Sequence, residues 1–210
     1  MRFASMTTCK TEGRSGPRVP LVLLVALAVS ACVDLTPPWI AEKAVESRTG
    51  GAGTGGTATG DTAKYNFEES IQSWLVPVTT QSFTSLLRST ARYFAGAASL
   101  AGTVAATAPG KYFMAAEPPS PVVPPGATVT FHVYVPQAST IDWVQPYVLE
   151  GTPGYRWTGT KVGIADLSVG AWNTITVVVP SDAVPIESLG VQFHVDAAWT
   201  GTVYVDSIDW

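Results

Sequence analysis

Residues 128–135 read Thr-Val-Thr-Phe-His-Val-Tyr-Val and alternate apolar with more polar side chains without a break. An extended backbone sends successive side chains to opposite faces, so it gathers Val129, Phe131, Val133 and Val135 on one side and Thr128, Thr130, His132 and Tyr134 on the other. The same period returns four times. Ser99 to Ala106 sets Leu100, Gly102, Val104 and Ala106 together, and Trp143 to Leu149 sets Trp143, Gln145, Tyr147 and Leu149 against Val144, Pro146 and Val148. Asn173 to Val179 turns Ile175, Val177 and Val179 inward and is stopped by Pro180, which cannot donate to a ladder. Leu189 to Asp196 turns Val191, Phe193 and Val195 inward and leaves Gln192 and His194 on the second face. With Thr202 to Ile208, it reads as an antiparallel hairpin around a short Gly-containing connection. Tyr65 and Phe67 alternate with polar residues as a first strand would, residues 76–94 read as irregular strands, and the prolines from Pro118 to Pro125 mark a surface connection. Six or seven short strands with turn residues between them and no long helical period predict an all-β, antiparallel sandwich.

That domain is expected to begin at Tyr65, because the chain before it has a different character. Arg2, Lys10, Arg14 and Arg18 precede an apolar stretch from Val19 to Ala31. The stretch falls short of the roughly 20 residues that a membrane-spanning helix needs, so residues 1–31 are read as a signal peptide. Its end, Val29-Ser30-Ala31-Cys32, resembles the lipobox of bacterial lipoproteins, which implies lipidation at Cys32, with Val29 where leucine is usual. The chain is therefore expected at a bacterial cell envelope, membrane-anchored and either periplasmic or surface-exposed. Residues 32–64 include the run GGAGTGGTATG, which has too little apolar surface to offset its chain entropy and reads as a flexible tether. With Cys9 in the signal and Cys32 lipidated, residues 65–210 contain no cysteine and must fold on a hydrophobic core alone. Eleven acidic against five basic residues there leave an excess of six negative charges, which disfavours nucleic acid as a partner.

The second face of the predicted sheets is unusual. A solvated face ordinarily carries Thr, Ser, Lys and Glu; here it collects His132, Trp143, Gln145, Tyr147, Gln192 and His194. Flat rings interleaved with amides and imidazoles suit a sugar, whose C–H faces stack on aromatic rings while its hydroxyls exchange hydrogen bonds with the polar groups. Trp157, in a Gly-rich stretch with little core to bury into, is added to the set.

The landmarks Asn66-Phe67-Glu68, Trp74, Gly96 to Leu100, Gly126 before Val129 to Val135, Gly170-Ala171-Trp172-Asn173 and Gly201 to Asp206 follow one another in the order of a β-jelly-roll carbohydrate-binding module. Over nearly the whole of residues 65–210 the chain is similar to the galactose-binding-like modules attached to bacterial glycanases. That resemblance implies a jelly-roll sandwich, polysaccharide or another glycan as partner, and a structural Ca²⁺ held through Glu68 and Asp206, since hard oxygen ligands suit that ion.

A glycosidase on such a sandwich needs two facing carboxylates. The inferred face offers Asp196 alone, with Asp142 at the opposite parity to Trp143, and neither a GxSxG nor an HExxH motif occurs. The chain is therefore read as a non-catalytic glycan-binding module. A second reading makes it a structural or adhesive envelope lipoprotein that uses the same face for protein contact.

Overall fold

A computed structural model describes residues 61–79 and 81–210. The signal segment, Cys32 and the tether as far as residue 60 lie outside them. Eleven strands are present among the described residues: β1 Trp74–Leu75, β2 Ser85–Ser89, β3 Ser99–Ala106, β4 Gly110–Ala116, β5 Thr128–Tyr134, β6 Ile141–Glu150, β7 Trp157–Gly159, β8 Val162–Gly163, β9 Trp172–Val178, β10 Ile186–Val195 and β11 Trp199–Asp209. They form two antiparallel sheets. Sheet one runs β1-β4-β10-β6-β7, with β8 also on β6, and sheet two runs β2-β3-β11-β5-β9. The predicted sandwich is therefore the fold, and its core lies where the alternation places it. Leu189, Val191, Phe193 and Val195 of β10 are fully buried against Leu100 and Val104 of β3, Val129, Phe131 and Val133 of β5, and Val203 and Val205 of β11.

Two elements depart from the sequence reading. Residues 189–208 do not form a hairpin: β10 pairs with β4 and β6, whereas β11 pairs with β3 and β5 in the opposite sheet. The link Asp196–Ala198 thus crosses from one sheet to the other at an end of the sandwich. Asp196 N–H donates to Thr140 O at 2.8 Å, Thr140 Oγ1 donates to Ala197 O at 2.9 Å and Trp199 Nε1 donates to Ala138 O at 3.0 Å, which fixes the crossing. Alternation reports which side chains face inward, and both halves of a sandwich face inward, so it does not say which sheet a strand joins. The second departure is β4, a central strand of sheet one. Its run Tyr112-Phe113-Met114-Ala115-Ala116 is apolar throughout, and a strand apolar on both faces shows no period of two.

The expected first strand at Tyr65 meets the last strand. Tyr65 and Ile208 exchange both backbone hydrogen bonds, at 3.1 and 3.0 Å. Around this bridge two carboxylates clamp the segment between β2 and β3. Asp206 Oδ2 accepts from the amides of Phe94 (2.7 Å) and Ala95 (3.3 Å), and its Oδ1 accepts from Ser207 N–H at 2.8 Å, which supports the left-handed φ of 46° at Ser207. Glu68 Oε1 accepts from Ala97 and Ala98 at 2.8 and 3.3 Å. Gly96 lies between them at a left-handed φ of 65°, which favours glycine, and a Cβ there would displace the Glu68 carboxylate from these amides.

These donors bear on the calcium expectation. A Ca²⁺ ion needs oxygen lone pairs, but the lone pairs of Asp206 and of Glu68 Oε1 already face amide hydrogens. Arg88 Nε donates to the carbonyls of Phe67 (3.1 Å) and Glu68 (2.7 Å). No group of three or more His, Cys, Asp or Glu gathers among the described residues. The residues present act as a loop clamp, with Glu68 and Asp206 each accepting from backbone amides. Chelation with excess EDTA is expected to leave Tm unchanged, and a fall in Tm would restore the ion.

Burial pushes the Asp206 carboxyl up to about 7, against the lowering effect of its three amide donors. A raised folded-state value means that the group's stabilisation is complete below the unfolded value near 4 and is lost as pH rises through about 7. Asp206→Asn is expected to cost about 1–3 kcal/mol, since one amide donor then meets an NH₂ group. Urea midpoints at pH 5 and pH 7.5 should show the wild-type advantage shrinking with pH; a constant difference would contradict the assignment.

Candidate functional site

Sheet one presents its outer face through alternate residues of its three longest strands. Cross-strand register puts them in rows: Lys111, His194 and Trp143 in one, Phe113, Gln192 and Gln145 in the next, and Ala115, Gly190 and Tyr147 in the third. Gly159 of β7 extends the third row, and Trp157 lies opposite Leu149 one row beyond. Six residues read from the sequence as ligand-facing, Trp143, Gln145, Tyr147, Trp157, Gln192 and His194, thus share one face. The seventh, His132, does not. It belongs to β5 in sheet two, where its ring stacks on Phe94 at 3.6 Å and its Nδ1 lies 3.1 Å from Ser207 O. Its burial lowers its pKa. Its inclusion is a correction, with the same cause as the false hairpin: parity along a strand does not identify the sheet.

The face is built on a missing side chain. A Cβ at Gly190 would come within 2.7 Å of Tyr147 Oη and 2.5 Å of Met114 O, so only glycine lets the tyrosine ring lie across β10. Its hydroxyl then sits 3.4 Å from Ser188 Oγ, which donates to Glu117 at 3.0 Å, and burial pushes the phenol up to about 12. Trp157 stacks on Tyr147 with centroids 3.8 Å apart and planes 17° from parallel, and Phe113 meets both rings edge-on at 6.3 Å. Gly159 admits the Gln145 side chain in the same way: its Nε2 lies 3.0 Å from where a Cβ would be.

This stacking decides which rings a ligand meets. Tyr147 is only 2% exposed and Trp143 9%, so neither is the open platform expected of it. Trp157 is 40% exposed and Phe113 is half-buried; they carry the accessible aromatic surface, with Gln145 and His194 beside them. Trp157 also belongs to a strand and not to a loop, which holds its ring in place. At the Trp143 end the face is charged. His194 lies parallel to the Trp143 indole at 5.1 Å, and its Nδ1 is 2.5 Å from Asp142 Oδ1. A register shift between His194 and Val195 inserts Asp142 as an extra residue in β6, which re-aims it from the core side towards His194. At the other end, Leu149, Ser188, Glu117, Glu187 and Tyr155 line a cavity of about 230 Å³.

Phe113 and Lys111, both on β4, were invisible to the period-two reading. The available signal was an apolar run bounded by Gly110 and Pro118, the mark of a strand apolar on both faces.

No family model and no curated protein matches the chain. Among solved structures it is similar to a carbohydrate-binding module from work on the promiscuous specificity of such modules in the β-sandwich superfamily. Identity is 29% and the TM-score 0.68, over 73% of this chain and 63% of that one, so the likeness spans a little under two thirds of that chain's length. It is also similar in fold to a carbohydrate-binding module specific for non-crystalline cellulose, at 16% identity and a TM-score of 0.54, over 70% of this chain and 92% of that one. The fold is one that carbohydrate-binding modules adopt.

Proposed function

We propose that this protein is a lipid-anchored module of a bacterial cell envelope that binds polysaccharide, without cleaving it, through the outer face of sheet one. The observation that carries the binding site is the gathering of Trp157, Phe113, Gln145 and His194 on one face, with Trp157 held by its stack on Tyr147 and Gln192 buried beneath, 4% exposed. A sugar ring laid on Trp157 exchanges its C–H surface with the indole. Its hydroxyls reach the amide of Gln145, which supplies both donors and acceptors. Such a ring is already ordered before ligand arrives, so little side-chain entropy is lost on binding.

The anchor rests on the lipobox resemblance at Cys32, and the tether gives it reach. Eleven Gly-rich residues span roughly 20 Å r.m.s., so a module held this way samples polymer lying off the membrane. Non-catalytic action agrees with the charge layout of the face. Asp142 is taken up by His194, and the carboxylates Glu117 and Glu187 stand at the opposite end of the strands. Six residues along the strands separate the Trp143–His194 row from the Leu149–Ser188 row, and at about 3.3 Å per residue the ends lie roughly 20 Å apart.

Affinity electrophoresis of residues 33–210 against β-glucans, mannans, xylans and pectins tests the reading. At least one polymer is expected to retard the protein. Trp157→Ala should reduce that retardation at least tenfold, on the order of the loss when a stacking ring is removed from a binding site. Leu87→Ala, an exposed change on sheet two, should leave it unaltered. Retention of full binding by Trp157→Ala, or no retardation by any polymer, would overturn it, and the latter outcome would favour protein contact as the task of this face.

A further inference from the structure

Residues 65–210 carry five basic side chains, and their placement is uneven. Arg88 donates to two backbone carbonyls, Arg92 lies over the Tyr134 ring at 4.4 Å, and Arg156 pairs with both Glu150 and Asp182. The remaining two, Lys111 and Lys161, stand on the same ring. Lys111 Nζ is 5.6 Å and Lys161 Nζ 4.5 Å from the centroid of Trp143. Neither makes a salt bridge among the described residues, and both are exposed. The nearby carboxylate of Asp142 is engaged by His194. In a domain with an excess of six negative charges, the two lysines left without an acidic partner converge on the end of the face already assigned to glycan.

We infer that the Trp143 end of this face takes a carboxylated sugar, so that the ligand is a largely neutral polysaccharide carrying uronic acid units. This rests on the proposed function and narrows its substrate class. Two ammonium groups within about 6 Å of one indole, each attracted by the ring's quadrupole, place two positive charges at this end of the face. A sugar carboxylate placed there gains charge-assisted hydrogen bonds from both. Trp143 is nearly covered by its neighbours, so its task is to hold Lys161 and Lys111 and not to offer a bare stacking surface. The other end of the face bounds the proposal. Glu117 and Glu187 line the cavity beyond Leu149 and repel a second carboxylate, as does the acidic domain at large. Sparse uronates on a neutral backbone therefore fit, and a polyuronate does not.

The test uses residues 33–210 with three probes: glucuronoxylan, the same polymer after reduction of its carboxyl groups to alcohols, and a sulfated xylan. Glucuronoxylan should bind roughly tenfold more tightly than its reduced form, the size of a hydrogen bond to a charged group. The advantage should vanish in the Lys111→Gln/Lys161→Gln double variant, survive in Lys161→Arg, and shrink in 0.5 M NaCl. Near-ultraviolet circular dichroism of the double variant checks that Trp143 keeps its environment. Equal binding of native and reduced polymer, with both lost in Trp157→Ala, would overturn the uronate assignment and leave the glycan-binding face standing. Tighter, lysine-dependent binding of sulfated xylan would overturn carboxylate in favour of sulfate. Binding of no probe would overturn the uronate assignment, whereas the glycan reading falls only if no polymer of the wider panel retards the protein.

Discussion

A strand at the centre of a sandwich meets two demands at once, and β10 meets both by strict alternation. Its inward residues, Leu189, Val191, Phe193 and Val195, have no exposed surface, and they join the two sheets into one core. Its outward residues, Gly190, Gln192 and His194, form the floor of the candidate site. The glycine is the decisive one. Without a side chain at 190, Tyr147 lies flat, Trp157 stacks on it and Phe113 closes the cluster. Any larger residue would lift the tyrosine or strain the β4–β10 pairing, because the carbonyl of Met114 stands as close as the phenol. The geometry of the site is thus inherited from the backbone of the core strand.

The two outer faces of the sandwich carry aromatic residues for different reasons. On sheet two, Phe94, His132, Trp172, Tyr134 and Tyr204 pack on one another beneath a segment that Asp206 and Glu68 clamp by its amides. That cluster seals the junction between the Tyr65 segment and the last strand. On sheet one no such segment crosses the rings, Trp157 stays open to solvent, and the lysines that flank Trp143 have no acidic partner.

The sequence made the strands of the sandwich legible wherever one face was buried and the other mixed. β3, β5, β6 and β9 fall within one or two residues of the alternating runs, and Val191, Phe193 and Val195 point inward as their period demands. It was silent where that contrast fails. β4 is apolar on both faces, so Phe113 and Lys111 went unseen, although Lys111 bears on the ligand's charge. Parity also could not assign strands to sheets, which misplaced His132 and joined β10 to β11 in a hairpin. Asp142 escaped for a third reason: a bulge reverses its side, and a bulge is set by pairing with a partner strand. Six of the seven residues singled out from the sequence nevertheless share the outer face of sheet one, because their chemistry stands out against the Thr and Ser expected on a solvated face.

The central claim is that the outer face of sheet one, and not the aromatic cluster of sheet two, meets the glycan. It is tested most directly by following the indole N–H resonances of ¹⁵N-tryptophan-labelled protein during titration with an oligosaccharide of the retarding polymer. Trp157 and Trp143 report on sheet one, Trp172 on sheet two, and Trp74 on the core. The account predicts saturable shifts at Trp157 and Trp143 with Trp172 and Trp74 unmoved. Shifts at Trp172 while Trp157 stays fixed would contradict it.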